Sequence, residues 1–213
     1  MSEAKILARV IWSEHPYTFY CGCKFNSHLI IDYTECGYIP HNSKRAKRVE
    51  WEHLVPASWL GKQRACWREQ LCESKRGKKF KGRNCCEKID PAFNKAYLDL
   101  YNLVPAIGEV NGARKDYRFG MLGRNEANQY LEGCSMHIND RNHVVEPSEQ
   151  VKGMIARAHL YMADTHELRL SVKQRKLFTK WDEAHPPSPW ELRWAEKVNQ
   201  VQGNQNNYIE RYR

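Results

Sequence analysis

Residues 48–57 read RVEWEHLVPA and bring Glu50, Glu52 and His53 together around a tryptophan. Imidazole is the side chain that is neutral near pH 7 yet basic enough to take a proton. Carboxylates are the ligands a hard divalent cation prefers. A base to activate water, a cation to neutralise an oxyanion and arginines to grip phosphate are what hydrolysis of a phosphodiester requires. The structural alternative for the same residues is a salt-bridged strand edge. Glutamate precedes histidine and no second histidine follows at helical spacing, so this is not the H-E-x-x-H metalloprotease motif.

The charge around the stretch narrows the choice of partner. The 213-residue chain carries 34 Lys and Arg against 25 Asp and Glu, a net charge of +9. Between Lys44 and Arg83 lie 13 of those bases and only 4 of the acids, so this segment alone is +9 and the remainder balances. A basic patch concentrated around an acid–histidine cluster points to a polyanion, most simply nucleic acid. A solvated surface run is the plainer reading of the same charges.

The cysteines bear on the compartment. There are eight: Cys21, Cys23, Cys36, Cys66, Cys72, Cys85, Cys86 and Cys134. An even count in loop-like segments favours disulfides and an oxidising environment. The spacings Cys21-x-Cys23 and Cys85-Cys86 fit poorly with the C-x2-C pairs of structural zinc. Near neighbours Cys21 and Cys23 should not bond to each other. The opening MSEAKILARVIW lacks a signal-peptide core and cleavage site, so the chain reads as cytosolic or as a mature exported protein, and the cysteines favour export. No apolar run reaches the length of a membrane span.

The elements that would carry these residues suggest an α+β domain spanning residues 1–213, with a small strand-rich centre and helices around it. Residues 3–12 can form a short helix buried through Ile6, Leu7, Val10 and Ile11. YTFYCGCKF and HLIIDYTECGYIP read as strands or extended loops, and RVEWEHLV as a strand ended soon by Pro56. ESKRGKKFKGRN is a basic loop, and IGEVNGARKDY a short helix despite Gly112. Three clearer helices close the chain, over 147–166, 171–185 and 188–203. The first has Val151, Ile155, Ala158 and Met162 at helical spacing. The last starts at Ser188 with Pro189 and Glu191 behind it, buries Trp190, Trp194, Val198 and Val201, and ends at Gly203.

RVEWEHLVPASW, GRNC, DLYNLVPAIGEVNGAR, IARAHLYM and QGNQN, in that order, resemble successive motifs of the bacterial endonuclease I family. These are periplasmic or secreted non-specific nucleases of the ββα-metal (His-Me finger) class, and the resemblance covers nearly the whole chain. It implies a ββα-metal core within a mixed, mainly helical single domain stapled by disulfides. It implies a monomer that needs no membrane and cleaves DNA, and RNA as well, to 5′-phosphorylated products. His53 would be the base that activates water. Glu52 and Asn111 would hold Mg2+, or Mn2+ or Ca2+ in its place. Asn102 would hydrogen-bond and orient the His53 imidazole, and Arg83 would grip the phosphate. Arg114 and Arg157 would be further phosphate contacts, with surface or helix-packing ion pairs as their structural alternative, and Glu50 would be structural. The family commonly has histidine where this chain has Tyr101. Nested bridges Cys66–Cys86 and Cys72–Cys85 would clamp the loop carrying Arg83. Cys21, Cys23, Cys36 and Cys134 would form the other two bridges, the partner of Cys36 being left open.

Overall fold

The computed structural model describes residues 3–41, 44–123, 125–131 and 133–213. The chain opens with helix α1 (Glu3–Trp12) and a long extended segment that leads to strand β1 (Val49–His53). Helices α2 (Ala57–Lys62) and α3 (Ala65–Arg68), the short strands β2 (Cys72–Glu73) and β3 (Lys79–Phe80), and helices α4 (Arg83–Ile89) and α5 (Pro91–Tyr97) follow. A 3-10 turn over Leu100–Asn102 leads into strand β4 (Leu103–Ile107) and helix α6 (Gly108–Arg114). Strands β5 (Arg118–Phe119), β6 (Gln129–Leu131), β7 (Met136–Asn139) and β8 (Val144–Glu146) come next. Helices α7 (Glu149–His166), α8 (Val172–Ala184), α9 (Pro189–Gln202) and α10 (Asn207–Glu210) complete the chain. The domain is α+β, as the sequence suggests.

Three elements frame the RVEWEHLVPA stretch. β1 pairs antiparallel with β4, Val49 opposite Ile107 and His53 opposite Leu103. Every residue of β4 is buried, so this strand is the floor on which β1 is laid. α6 leaves β4 without a loop and packs back on both strands. Beyond His53 the chain turns away at Leu54 and Val55, both fully buried.

The cysteines are all paired, as Cys21–Cys134, Cys23–Cys36, Cys66–Cys86 and Cys72–Cys85. The nested scheme for the basic loop holds, Cys36 takes Cys23, and a cysteine-based zinc site is ruled out. YTFYCGCKF and HLIIDYTECGYIP are extended loops held by isolated bridges (Tyr17–Lys24, Phe25–Ile31) and the two N-terminal disulfides.

The closing helices lie close to their expected ranges. Ser171 and Gln174 make a reciprocal capping box on α8. Ser188 accepts from the Glu191 N–H at the start of α9, and Gly203 ends it in the left-handed region at φ 77°. Val201 is exposed, so the buried stripe of α9 stops at Val198. α1 is also helical as expected, but it buries Ala4, Ala8, Ile11 and Trp12 and exposes Ile6 and Val10. Trp12 sets that rotation by packing against Trp190 and Trp194 of α9. The sheet β5-β8-β7-β6 has no counterpart in the sequence reading; its strands are two to four residues long and too short to show alternation. No helix among the described residues is long and apolar enough to cross a membrane.

Candidate active site

β1, α6, α4 and α5 surround an open cleft of about 1340 Å³ lined by Glu50, Glu52, His53, Arg83, Tyr97 and Asn111, among others. Five of the residues given a role by the resemblance, His53, Glu52, Asn111, Arg83 and Arg114, therefore share one cavity. Arg45 and Arg48 of the basic segment line it with Arg83, and Lys5 and Lys115 join them from outside that segment.

His53 ends β1 and is half-buried. Its Nε2 lies 2.9 Å from the backbone carbonyl of Tyr97. A carbonyl can only accept, so Nε2 carries the proton and Nδ1 is left as the basic lone pair. The Tyr97 ring lies parallel on the imidazole, with centroids 4.5 Å apart, and Phe93 stacks behind Tyr97. Tyr97 is the last residue of α5, and the final carbonyls of a helix have no partner within it. One of these carbonyls fixes the tautomer. Burial lowers the His53 pKa to about 3, the Tyr97 hydrogen bond opposing and Lys5, Arg83 and Arg114 adding to the shift, so the ring is neutral at pH 7. A phosphate diester in the cleft would bring negative charge and draw that pKa back towards the working range.

Asn102 is positioned differently from expectation. Its Oδ1 accepts from the Val55 N–H at 2.7 Å and its Nδ2 donates to the Val55 carbonyl at 3.1 Å. The Leu54 N–H donates to the Asn102 carbonyl at 3.1 Å. The fully buried amide thus ties down the chain just past His53, while Tyr97 orients the imidazole. Sequence reasoning missed Tyr97 because a backbone carbonyl leaves no mark in a residue pattern. The readable signal was Asp90-Pro91, which starts α5 through the Asp90 cap on the Phe93 N–H.

Glu52 is 5% exposed. Its Oε1 accepts from Arg114 Nη1 at 2.9 Å and from the Tyr20 hydroxyl at 3.2 Å. Burial raises its pKa, against the pull of Arg114, Tyr20 and the His53 N–H. Asn111, on α6, donates from Nδ2 to Glu50 Oε2 at 3.2 Å. A carboxylate and an amide carbonyl are oxygen donors of the kind that a hard cation takes. Among the described residues no group of three His, Cys, Asp or Glu side chains could hold a metal. A cation here would rest on the Glu52–Asn111 pair, with water and substrate completing its shell.

Arg83 is exposed at the start of α4, with its guanidinium 5.6 Å from the centre of the Tyr97 ring. The two bridges Cys66–Cys86 and Cys72–Cys85 fasten α4 to α3 and β2 directly behind it. The other two arginines are not free phosphate contacts. Arg114 is 1% exposed and donates to Glu52, to the His53 carbonyl at 2.9 Å and to the Leu54 carbonyl at 2.7 Å. Arg157 is equally buried, and it binds Glu191, Asp182 and the His185 carbonyl between α7, α8 and α9. Both are internal ion pairs. Tyr101, where the resemblance leads one to expect histidine, points to the core: its hydroxyl lies within hydrogen-bond reach of the carbonyls of Ala195 (3.1 Å) and Asn204 (3.2 Å) and can donate to either.

A neutral, oriented imidazole beside a buried carboxylate in a basic cleft is chemistry of the phosphodiester-hydrolysing class. The chain belongs to the endonuclease I family, whose model matches residues 3–212. It is similar to a periplasmic deoxyribonuclease of Aeromonas hydrophila, 42% identical over 206 residues that make up 94% of this chain and 81% of the relative. It is similar to an extracellular deoxyribonuclease of the same species, 41% identical over 94% of this chain and 84% of the relative. Endonuclease-1 of Buchnera aphidicola subsp. Acyrthosiphon pisum is 39% identical over 97% of this chain and 79% of that protein.

Proposed function

We propose that this chain is a sequence-non-specific endonuclease that hydrolyses phosphodiester bonds of DNA, and of RNA, with a divalent cation. The observation that carries the reading is the Tyr97 carbonyl on His53 Nε2, which leaves Nδ1 as a free base inside a basic cleft. β1, β4 and α6 are the strands and helix of a ββα-metal core in this reading, and residues 1–213 act as one nuclease domain. Glu52 and Asn111 would hold Mg2+, or Mn2+ or Ca2+ in its place. When bound, such an ion neutralises charge on the scissile phosphate and on the departing oxygen.

The chain's own residues do the rest. His53 Nδ1 takes a proton from the water that attacks phosphorus, and the 3′ oxygen leaves, so the products carry a 5′-phosphate. The Tyr97 carbonyl and ring hold the imidazole in place throughout. Asn102, through Val55, fixes the chain that follows His53. Arg83 grips the phosphate oxygens in the forked geometry that lysine cannot offer. Basic side chains along the cleft bind phosphates without reading base edges, which makes cleavage indifferent to sequence. The two Aeromonas hydrophila relatives are a periplasmic and an extracellular deoxyribonuclease, and four disulfides suit the same compartments. We place this chain there too, as a monomer free of the membrane.

Plasmid DNA and a single-stranded RNA, incubated with the protein and Mg2+ or with EDTA, test the reading. Cleavage of both with Mg2+, none with EDTA and 5′-phosphorylated ends are expected. Binding without cleavage under any divalent cation would leave a nucleic-acid-binding protein instead.

A further inference from the structure

We propose that Glu50 is a positioning residue, one that fixes the Asn111 amide so that its carbonyl oxygen, not its nitrogen, is offered to the cation. The inference rests on the metal reading above and deepens it. The two ends of an asparagine amide are nearly equal in size, and an amide free to rotate would present either one. Only the oxygen can ligate a hard cation; the nitrogen carries two protons and repels it. Asn111 meets Glu50 Oε2 at 3.2 Å, and an ionised carboxylate can only accept. Nδ2 is therefore the end that faces Glu50, and Oδ1 is directed away from it.

Glu50 has no capacity left to be a ligand itself. Its Oε1 accepts from Arg45 Nε at 3.0 Å and from Arg48 Nη2 at 3.1 Å. Its Oε2 accepts from Arg45 Nη2 at 2.5 Å as well as from Asn111. Four donors occupy the roughly four lone-pair sites of a carboxylate.

The backbone is shaped for this contact. Gly108, Asn111 and Gly112 share one face of α6. A Cβ on Gly108 would lie 2.7 Å from the Arg45 carbonyl oxygen and 2.8 Å from the Glu50 carboxyl, and one on Gly112 would lie 2.6 Å from Arg45 Nη1. The bare face lets the Arg45–Glu50 pair lie directly on the helix, with Asn111 the side chain that meets it. Glu50 and Glu52 alternate onto the same side of β1, and Asn111 and Arg114 are three apart on α6. Strand and helix are thus joined by two rungs, Glu50–Asn111 and Glu52–Arg114.

The test is the Mn2+ affinity of the metal-free protein, read from the spin-resonance signal of free Mn2+, with thermal melting alongside. Glu50→Ala should weaken Mn2+ binding about ten- to a hundredfold, the usual effect of losing a ligand's supporting partner, and Asn111→Ala, which removes the ligand itself, at least as much. Glu50→Gln should bind nearly as wild type does, because its carbonyl can still accept from Asn111. A merely structural role would lower the melting temperature without separating Glu50→Ala from Glu50→Gln in metal affinity, and that result would overturn the proposal. So would Glu50→Ala binding Mn2+ like wild type while Asn111→Ala does not. A wild-type protein that binds no Mn2+, indistinguishable from Asn111→Ala, would instead overturn the metal reading and this inference with it. Should Glu50→Ala fail to fold, the 15N-labelled wild type gives a second reading. The Asn111 side-chain protons should exchange slowly with water, and exchange at the rate of an exposed asparagine would overturn the proposal.

Discussion

Two arginines, Arg114 and Arg157, each 1% exposed, do different work in two regions of the molecule. Arg157 sits among α7, α8 and α9 and spends its guanidinium on Glu191, Asp182 and the His185 carbonyl. Its carboxylate partners are 4% and 1% exposed, and Asp182 also takes Arg211 from the surface side. Arg114 joins α6 to β1, and its partner Glu52 lines the cleft. Its Nε finds no acceptor among the described residues. It lies 4.5 Å from the centre of the Phe119 ring. One buried pair is a strut between helices, and the other is a strut that also holds the carboxylate proposed to take the cation. The exposed Arg83 is the one member of the predicted trio that remains available to a phosphate.

That contrast can be broken most forcefully at the two buried arginines. Arg114→Ala and Arg157→Ala should each cost about 3–5 kcal/mol, because each leaves a buried carboxylate uncompensated. Chemical denaturation measures this. The two should then part: the folded fraction of Arg157→Ala should cleave DNA at the wild-type rate per molecule, while folded Arg114→Ala should not, having released Glu52. Equal activity of both folded variants would mean that Arg114 is only a strut.

Arg83→Ala is expected to do the opposite. Losing one charge-stabilising group in a site costs about 10²–10³ in rate, while an exposed side chain usually moves stability by no more than about 0.5 kcal/mol. Steady-state cleavage and a melting curve on the same preparation check both halves.

An effect confined to acid pH should come from His159, in α7. It packs on Trp59, Phe119 and Phe178, and its Nδ1 donates to the Ile155 carbonyl. Burial lowers its pKa to about 3, the Ile155 bond opposing and Arg114 assisting. Below the ordinary value of 6.5 the unfolded chain binds a proton that the folded one refuses. The contribution of neutral His159 is therefore complete above pH 6.5 and is lost as pH falls towards 3. The slope is up to about 1.4 kcal/mol per pH unit. His159→Leu should flatten that slope in denaturation curves taken from pH 7 to pH 4, and an unchanged slope would assign the acid sensitivity elsewhere.

The two regions were also unequally legible in the sequence. The closing helices announced themselves through the spacing of Val151, Ile155, Ala158 and Met162 and through Ser188-Pro189 and Gly203, since caps and period are local properties. In the cleft region the ordered motifs brought His53, Glu52, Asn111 and Arg83 to one cavity, and the nested cysteines located the clamp behind Arg83. What stayed hidden depends on tertiary placement. The Tyr97 carbonyl is a backbone group, and any residue at that helix end would supply one. Asn102 is spent on Val55, a partner that local sequence does not specify. Arg114 and Arg157 look like surface bases in a row of letters because burial is decided by what packs over them. The face of α1 was misread because Trp12, at its end, outweighs Ile6 and Val10 in area.

The central claim, that His53 Nδ1 is the base, is tested most directly by single-turnover cleavage of duplex DNA by His53→Ala, with and without added imidazole. The account predicts a loss of about 10²–10⁴ in rate, unchanged DNA binding, and partial recovery when imidazole enters the vacated space. Cleavage by His53→Ala at the wild-type rate would contradict it.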